Sequence, residues 1–274
     1  MRGARISHIA RAGAPTKPEP RDAAAADILD CVARPRIFIG TAGWTIPRAV
    51  ASHFADGGTH LERYARVLAG AEINSSFHRP HAVATYAKWA GATPASFRFA
   101  VKLPRTITHD QRLRRARQPL VQFLRESAGL GRRRGPLLVQ LPPSLSFEPR
   151  VASRFFSLLR DSYDGAVVCE PRHPEWFSAA ADALLVRFQV ARVAADPPPV
   201  PGAERGGGWK GLTYFRLHGS PRKYWSTYTA EQIAALTPQV LDGARSGDVW
   251  CIFDNTASGA ALANALDLHS QLQR

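Results

Sequence analysis

Short apolar runs recur along the chain, each closing in a polar or charged group and most followed by a stretch with helical spacing. The first predicted strand covers 36–40 and runs into Thr41, Gly43 and Trp44. Thr59 and Glu62 have capping-box spacing, which predicts a helix over 60–69 with Leu61, Tyr64, Ala65 and Leu68 on its buried stripe. A strand over 71–77 follows, whose alternation places Glu72, Asn74 and Ser76 on one side. After a helix near 82–90, the run 97–103 is a third strand stopped by Pro104, with a polar loop at 105–110 and a helix over 118–128. Residues 137–140 form a fourth strand ending at Gln140, before a helix over 150–159. Val167, Val168 and Cys169 form a fifth, ending in the charged group Glu170, Arg172, His173 and Glu175. A helix over 175–188 leads to a sixth strand over 191–195, ending at Asp196. The next connection is too rich in Pro and Gly for a helix. Strands over 212–217 and 249–253 complete the series, with a helix capped by Thr229 and Gln232 between them and a last helix over 257–268.

Apolar strands alternating with helices demand a parallel sheet, and eight such units predict an α/β protein of TIM-barrel-like (β/α)8 type, with the helix after strand six replaced by a Pro/Gly-rich loop. Polar residues collect at the strand C-termini, where such a barrel builds its active face. Residues 1–34, with Pro15, Pro18, Pro20 and an alanine run, read as a mobile N-terminal tail carrying one short helix near 24–32. Residues 35–274 read as a single domain.

Charge complicates this picture. The net charge is +14 with a pI near 10.6, carried almost wholly by arginine, since Lys17, Lys88, Lys102, Lys210 and Lys223 are the only lysines. Such a balance fits either a polyanion-binding surface or the codon bias of a GC-rich genome. Arg112, Arg114, Arg115, Arg117, Arg132, Arg133 and Arg134 flank one helix and are the nucleic-acid candidates. No apolar run approaches the about 18 residues needed to span a bilayer, and the first residues lack a signal-like apolar core, so a cytoplasmic location is expected. Cys31, Cys169 and Cys251 show no C-x-x-C spacing; the latter two lie in apolar runs and read as small buried hydrophobes.

The candidate chemistry follows from the strand ends. Glu170 and Arg172 are two residues apart, so an extended chain sends both to one face, as general base and anion grip or as an internal ion pair. Arg216 and His218 repeat that spacing, giving a fork-shaped anion donor and a proton carrier, or else a structural pair. Lys102 is a Schiff-base nucleophile, a base, or a counter-ion to Glu72 or Glu170. Thr41 and Trp44 offer a ligand wall, and Asn255 opens the last helix, where such barrels hold phosphate. A metal site is disfavoured, because Lys102, Arg172 and Arg216 would share the cavity.

The ordered segments IGTAGW (39–44), EINSSFHRP (72–80), FAVKLPRTITHDQRL (99–113), QLPPSLSF (140–147), CEPRHPEW (169–176), YFRLHG (214–219) and FDNTASGAALANA (253–265) resemble the DUF72 family, the YecE-like proteins. The resemblance implies a TIM-barrel-like fold in a bacterial family of unknown function, with no activity to carry over. Pro171 stands where the family often has an aromatic residue, while Glu170, Arg172 and His173 keep their places.

The expectation is therefore an enzyme, a hydrolase, lyase or isomerase, using acid/base chemistry on a small anionic, phosphorylated or sugar-like substrate. Glu170 and His218 would exchange protons, with Lys102 and Glu72 beside them. Arg172, Arg216 and His173 would bind the anion, and Thr41, Trp44, Asn74, Gln140, Asp254 and Asn255 would orient it. The rivals are a nucleic-acid-binding or nuclease-like barrel and a non-catalytic scaffold.

Overall fold

A computed structural model describes residues 35–273, so the expected tail, its short helix and Cys31 lie outside the described residues. The strands are β1 (Ile37–Thr41), β2 (Gly70–Ile73), β3 (Arg98–Lys102), β4 (Arg134–Gln140) and β5 (Val167–Glu170), then β6 (Val190–Arg192), β7 (Ala194–Asp196), β8 (Gly207–Gly208), β9 (Leu212–Leu217) and β10 (Asp248–Phe253). The helices are α1 (His60–Ala65), α2 (Ser75–His78), α3 (Val83–Gly91) and α4 (Arg117–Ser127), followed by α5 (Pro149–Ser162), α6 (Ala179–Arg187), α7 (Ala230–Gly243) and α8 (Ala260–Leu272).

The strands form two sheets, ordered β1-β10-β9-β7 and β2-β3-β4-β5-β6-β8, in which every pairing is parallel except β6 with β8. The sheets meet at two seams. β6 and β7 are successive pieces of one extended stretch interrupted at Val193, the first pairing with β5 and the second with β9. At the other seam, Ala42 and Glu72 form one parallel bridge and the Gly43 amide donates to the Glu72 carbonyl at 2.9 Å.

Side-chain alternation divides the strands into two faces. Phe38, Ala100, Leu138, Val168, Ala191, Tyr214, Trp250 and Ile252 pack with one another in a cluster that contains no helix residue. Ile39, Phe99, Val101, Val139, Cys169, Phe215 and Phe253 point the opposite way, into the layer filled by Leu120, Phe155, Leu185, Ile233 and Leu262 of the helices. Burial pushes the Cys169 and Cys251 thiols up, as expected of small residues within apolar strands. Between β7 and β9 the sole regular element among the described residues is β8. A cavity of about 240 Å³, lined by Phe215, Leu217, Tyr228, Ile233 and Leu236, lies there against α7. No helix among the described residues is long and apolar enough to cross a membrane.

Several expected elements differ, three of them beyond the split of the sixth strand at Val193 and the turn at 106–110. The helix after Thr59 has the predicted capping box but ends at Ala65, because the Val67 and Leu68 amides both turn back to the Tyr64 carbonyl before β2 begins. The expected strand over 71–77 stops at Ile73, since Asn74 has helical dihedrals (φ −90°, ψ −21°) and starts α2. Ser76 consequently turns inward and donates to the Ile73 and Lys102 carbonyls at 3.0 and 2.7 Å. The expected helix over 175–188 is instead a 3-10 turn at Pro174–Phe177 and then α6, which restarts on the Ser178 cap.

Tyr64 holds the β1–β2 seam. Its hydroxyl accepts from the Thr41 amide at 2.8 Å and donates to the Gly70 carbonyl at 3.0 Å. The approach is so close that a Cβ on Gly40 would collide with that carbonyl. Tyr64→Phe leaves a buried amide and a buried carbonyl without this partner, and the expected loss is about 1–3 kcal/mol. Urea unfolding of the variant against wild type checks it.

Candidate active site

The charged residues at the strand ends share one parity with the helix-free cluster. Lys102 is two residues past Ala100, Gln140 past Leu138, Glu170 past Val168, Arg216 past Tyr214 and Asp254 past Ile252. Period-two geometry therefore stacks a polar layer on the apolar one at the strand C-termini.

Arg216 is the centre of that layer and is 0% exposed. Its Nε and Nη2 grip Glu72 through both carboxyl oxygens at 3.0 and 2.6 Å, Nη1 donates to Glu170 Oε2 at 2.6 Å, and Nη2 also donates to Asp254 Oδ2 at 3.0 Å. The Tyr214 hydroxyl donates to Glu72 Oε2 at 2.7 Å, and Gln140 Nε2 to Glu170 Oε2 at 2.8 Å. Beside this group His218 is held from both sides, Nε2 at 3.0 Å from Glu170 Oε1 and Nδ1 at 3.0 Å from Asp254 Oδ2. Two carboxylate acceptors require two N–H donors, so the geometry selects the imidazolium.

The electrostatics agree. Burial raises the Glu170 carboxyl, but the charges of Arg216 and His218 outweigh it and hold the group well below the usual range. Asp254 is lowered in the same way, burial being overcome by Arg216 and His218. Burial opposes protonation of His218, and the Glu170 charge with the hydrogen bonds donated to both carboxylates reverses it, leaving the pKa raised.

Within this cluster the expected roles of Arg216 and Glu170 change. Arg216 was expected to grip a substrate anion, but its guanidinium is enclosed by three carboxylates of the protein. Glu170 was expected to move protons, but both its oxygens are occupied and its basicity is suppressed.

Two further cations lie beside this cluster. Arg172 is half-buried, its Nη2 at 3.4 Å from both Glu170 Oε1 and the Tyr224 hydroxyl. Lys102 keeps 9% of its surface open. No described carboxylate oxygen comes within the 4.0 Å of an ion pair, so the counter-ion role is confined to the longer-range pull of Glu72 and Glu170; its Nζ lies 4.2 Å over the Phe77 ring. Burial and the Arg216 charge, partly offset by Glu72, Glu170 and Asp254, bring its pKa down to about 8. Phe77 also meets His109 edge-on, with ring centroids 4.9 Å apart. Burial and the charges of Lys102, Arg105 and Arg172 press the His109 pKa down to about 4, so this imidazole is neutral near pH 7.

Sequence reasoning missed His109. It sits in the loop expected to be merely polar, which folds as a single π-helical turn, Thr106–Asp110, and returns the imidazole to Lys102. Its one signal was adjacency to strand three.

Other expected residues lie elsewhere or hold the frame. Thr41 Oγ1 donates to the Gly43 carbonyl at 2.6 Å, and Trp44 packs edge-on against Trp89 and Phe99 in the helix layer rather than forming a ligand wall. His173 Nδ1 accepts from the Glu175 amide and caps the 3-10 turn. Asn255 Nδ2 donates to the Ser226 carbonyl and Asn264 Oδ1, tying down the loop after β9. Asn74 Nδ2 reaches Asp254 Oδ1 at 3.5 Å, and Asn74 Oδ1 is buried with no hydrogen-bond partner. Among the described residues no three metal-ligating side chains are grouped to hold an ion. Two of the seven arginines of 112–134 lie toward opposite ends of β4. Arg112 bonds Ser144 beyond the C-terminal end of β4, whereas Arg134 begins that strand, roughly 20 Å away at the usual rise per residue.

Parallel strands with a charged layer at their C-termini define an α/β protein, and that layer is its candidate site. The chain belongs to the DUF72 family, described as "Protein of unknown function DUF72", whose profile matches residues 38–274. It is 32% identical over 171 residues to the UPF0759 protein YecE of Escherichia coli K12, covering 60% of each chain. The chain thus spans about 60% of that relative's length. Among solved structures, a DUF72 family protein from Thermotoga maritima superposes with a TM-score of 0.72 at 22% identity, covering 87% of this chain and 100% of its own. A DUF72 family protein from Enterococcus faecalis gives 0.72 at 21% identity, over 87% and 96%. The apo form of the 3-keto-D-glucoside 4-epimerase YcjR from Escherichia coli gives 0.52 at 13% identity, over 88% and 99%.

The cluster makes stability depend on pH from both sides. Glu170 and Asp254 have depressed pKa values, so their contribution is present above the unfolded carboxylate values and is lost as pH falls through the folded ones. His218 has a raised pKa, so its contribution is full below the unfolded imidazole value and is lost as pH rises through the folded one. Arg216→Met strands three carboxylates, and the expected loss at neutral pH is about 3–5 kcal/mol, easing as acid neutralises them. Denaturant titrations at pH 4 and pH 7 measure both effects.

Proposed function

We propose that this protein is an enzyme that uses acid/base chemistry on a small anionic, phosphorylated or sugar-like substrate at the C-terminal ends of its strands. In this reading the two sheets work as one TIM-barrel-like (β/α)8 array, closed through the shared β6–β7 stretch and the Ala42–Glu72 bridge. The observation that carries the proposal is Lys102, a cation at the strand ends with no described carboxylate in ion-pair reach while Arg216 and His218 are enclosed by acids. A cation left unpaired in a partly buried site favours an anion from outside.

Lys102 and Arg172 would hold the anionic group, Arg172 through its fork-shaped donor face. His109, neutral and adjacent, would be the base that takes a proton from the bound substrate. Arg216, Glu72, Glu170, Asp254 and His218 would position this rim. The epimerase neighbour, whose name gives a glucoside substrate, is in keeping with a sugar-like ligand, through likeness of fold alone.

Inorganic phosphate and a sugar phosphate are the test ligands, with binding read from intrinsic fluorescence or a rise in Tm. Lys102 is charged below its pKa of about 8, so binding is expected at pH 7 and to weaken about tenfold or more by pH 10. Lys102→Met is expected to bind about ten- to a hundredfold more weakly at pH 7 and to lose the pH dependence. Equal binding by the variant and wild type would sink the proposal.

A further inference from the structure

We infer that Lys102 is a covalent anchor, whose amine condenses with the carbonyl carbon of an anionic aldehyde or ketone to form an imine. This rests on the function proposed above and names the substrate class of that site: a small molecule bearing both a carbonyl and a phosphate or carboxylate.

Geometry sets Lys102 apart from an ordinary structural lysine. The sealed polar atoms without partners among the described residues are Asn74 Oδ1, Tyr86 OH, Arg133 Nε, Arg192 Nε and Asn255 Oδ1. Lys102 Nζ also lacks a hydrogen-bond partner but is not sealed, so a reactant can reach it. The Phe77 ring covers one side of the nitrogen and removes water there. The Arg216 charge disfavours a further charge on the amine, against the opposing pull of Glu72, Glu170 and Asp254. A pKa lowered to about 8 leaves a useful fraction of free amine near neutrality, where an ordinary lysine has almost none.

The step balances without a co-reactant. The amine lone pair attacks the carbonyl carbon, a C–N bond forms and the carbonyl oxygen takes a proton, giving a carbinolamine. That oxygen then leaves as water and the nitrogen becomes an iminium. Ammonium and carbonyl compound thus yield iminium and one water, and the positive charge stays beside the substrate's anion. The iminium withdraws electrons from the neighbouring carbon, whose C–H proton can pass to neutral His109. This is the proton transfer of an isomerase or a carbon–carbon lyase.

The test uses the full chain at pH 8 with glyoxylate as the anionic aldehyde and glycolaldehyde as its uncharged counterpart, each with sodium cyanoborohydride. Hydride reduces the iminium to a stable secondary amine, and peptide mass spectrometry locates it among five lysines. Glyoxylate is expected to label Lys102 at least about tenfold faster than Lys17, Lys88, Lys210 or Lys223, with a smaller preference for glycolaldehyde. Lys102→Arg removes the fast phase. Phosphate binding by wild type is measured in parallel. Phosphate binding without preferential labelling of Lys102 overturns the covalent anchor alone, whereas loss of both overturns the anionic site as well.

Discussion

The buried guanidinium of Arg216 constrains everything at the strand ends. Removing an arginine and its partners from water costs several kcal/mol per ion, and only close geometry with full hydrogen bonding offsets it. Four N–H···O contacts supply that geometry here, to Glu72 in β2, Glu170 at the end of β5 and Asp254 just after β10. Arg216 and Asp254 belong to one sheet, whereas Glu72 and Glu170 belong to the other. One side chain therefore ties the two sheets and fixes the register of the strands that carry its partners, because a slip of one residue would turn a carboxylate into the helix layer.

Enclosure of Arg216 also decides what the rest of the layer can do. Glu72, Glu170 and Asp254 are saturated by Arg216, His218, Tyr214 and Gln140, so they have little capacity for another cation. Lys102 and Arg172 lie at the periphery of this network, and the charge that remains uncommitted is positive. An acid-rich site at strand ends would suggest a metal, but Arg216 fills the space between its carboxylates. The layer is thus a rigid ionic frame carrying a small cationic rim, and the two have opposite requirements: the frame needs every charge answered, the rim needs one that is not.

How much of this was legible in the sequence depended on whether local period or tertiary return placed each residue. Lys102, Gln140, Glu170, Arg216 and Asp254 sit two residues beyond an apolar strand position, so alternation alone put them in one layer. Glu72 followed the same rule, but Asn74 and Ser76 did not, because the chain leaves the strand at Asn74 and alternation stops with it. The roles within the layer were not legible. Whether an arginine grips substrate or protein depends on how many carboxylates surround it, and three strands far apart in sequence supply them. Trp44 and His173 were misplaced because adjacency to a strand end does not reveal which way a loop turns. His109 was overlooked for the converse reason, since its loop folds back by a π-helical turn that composition does not encode.

The resting electrostatics of the rim also imply an order of events. His109 is a weak base because burial and the charges of Lys102, Arg105 and Arg172 oppose its protonation more than Asp110 favours it. An anion seated between Lys102 and Arg172 cancels part of that field. Under the proposed function the same arrival would raise the proton affinity of His109, so that the imidazole would become a competent base once the substrate's charge is in place. The frame cannot respond in this way, because Glu170 and His218 are already fixed by partners within the protein. Catalytic readiness would then be a property conferred by the ligand on a pair of rim residues, with the buried cluster serving to keep them unpaired until it comes.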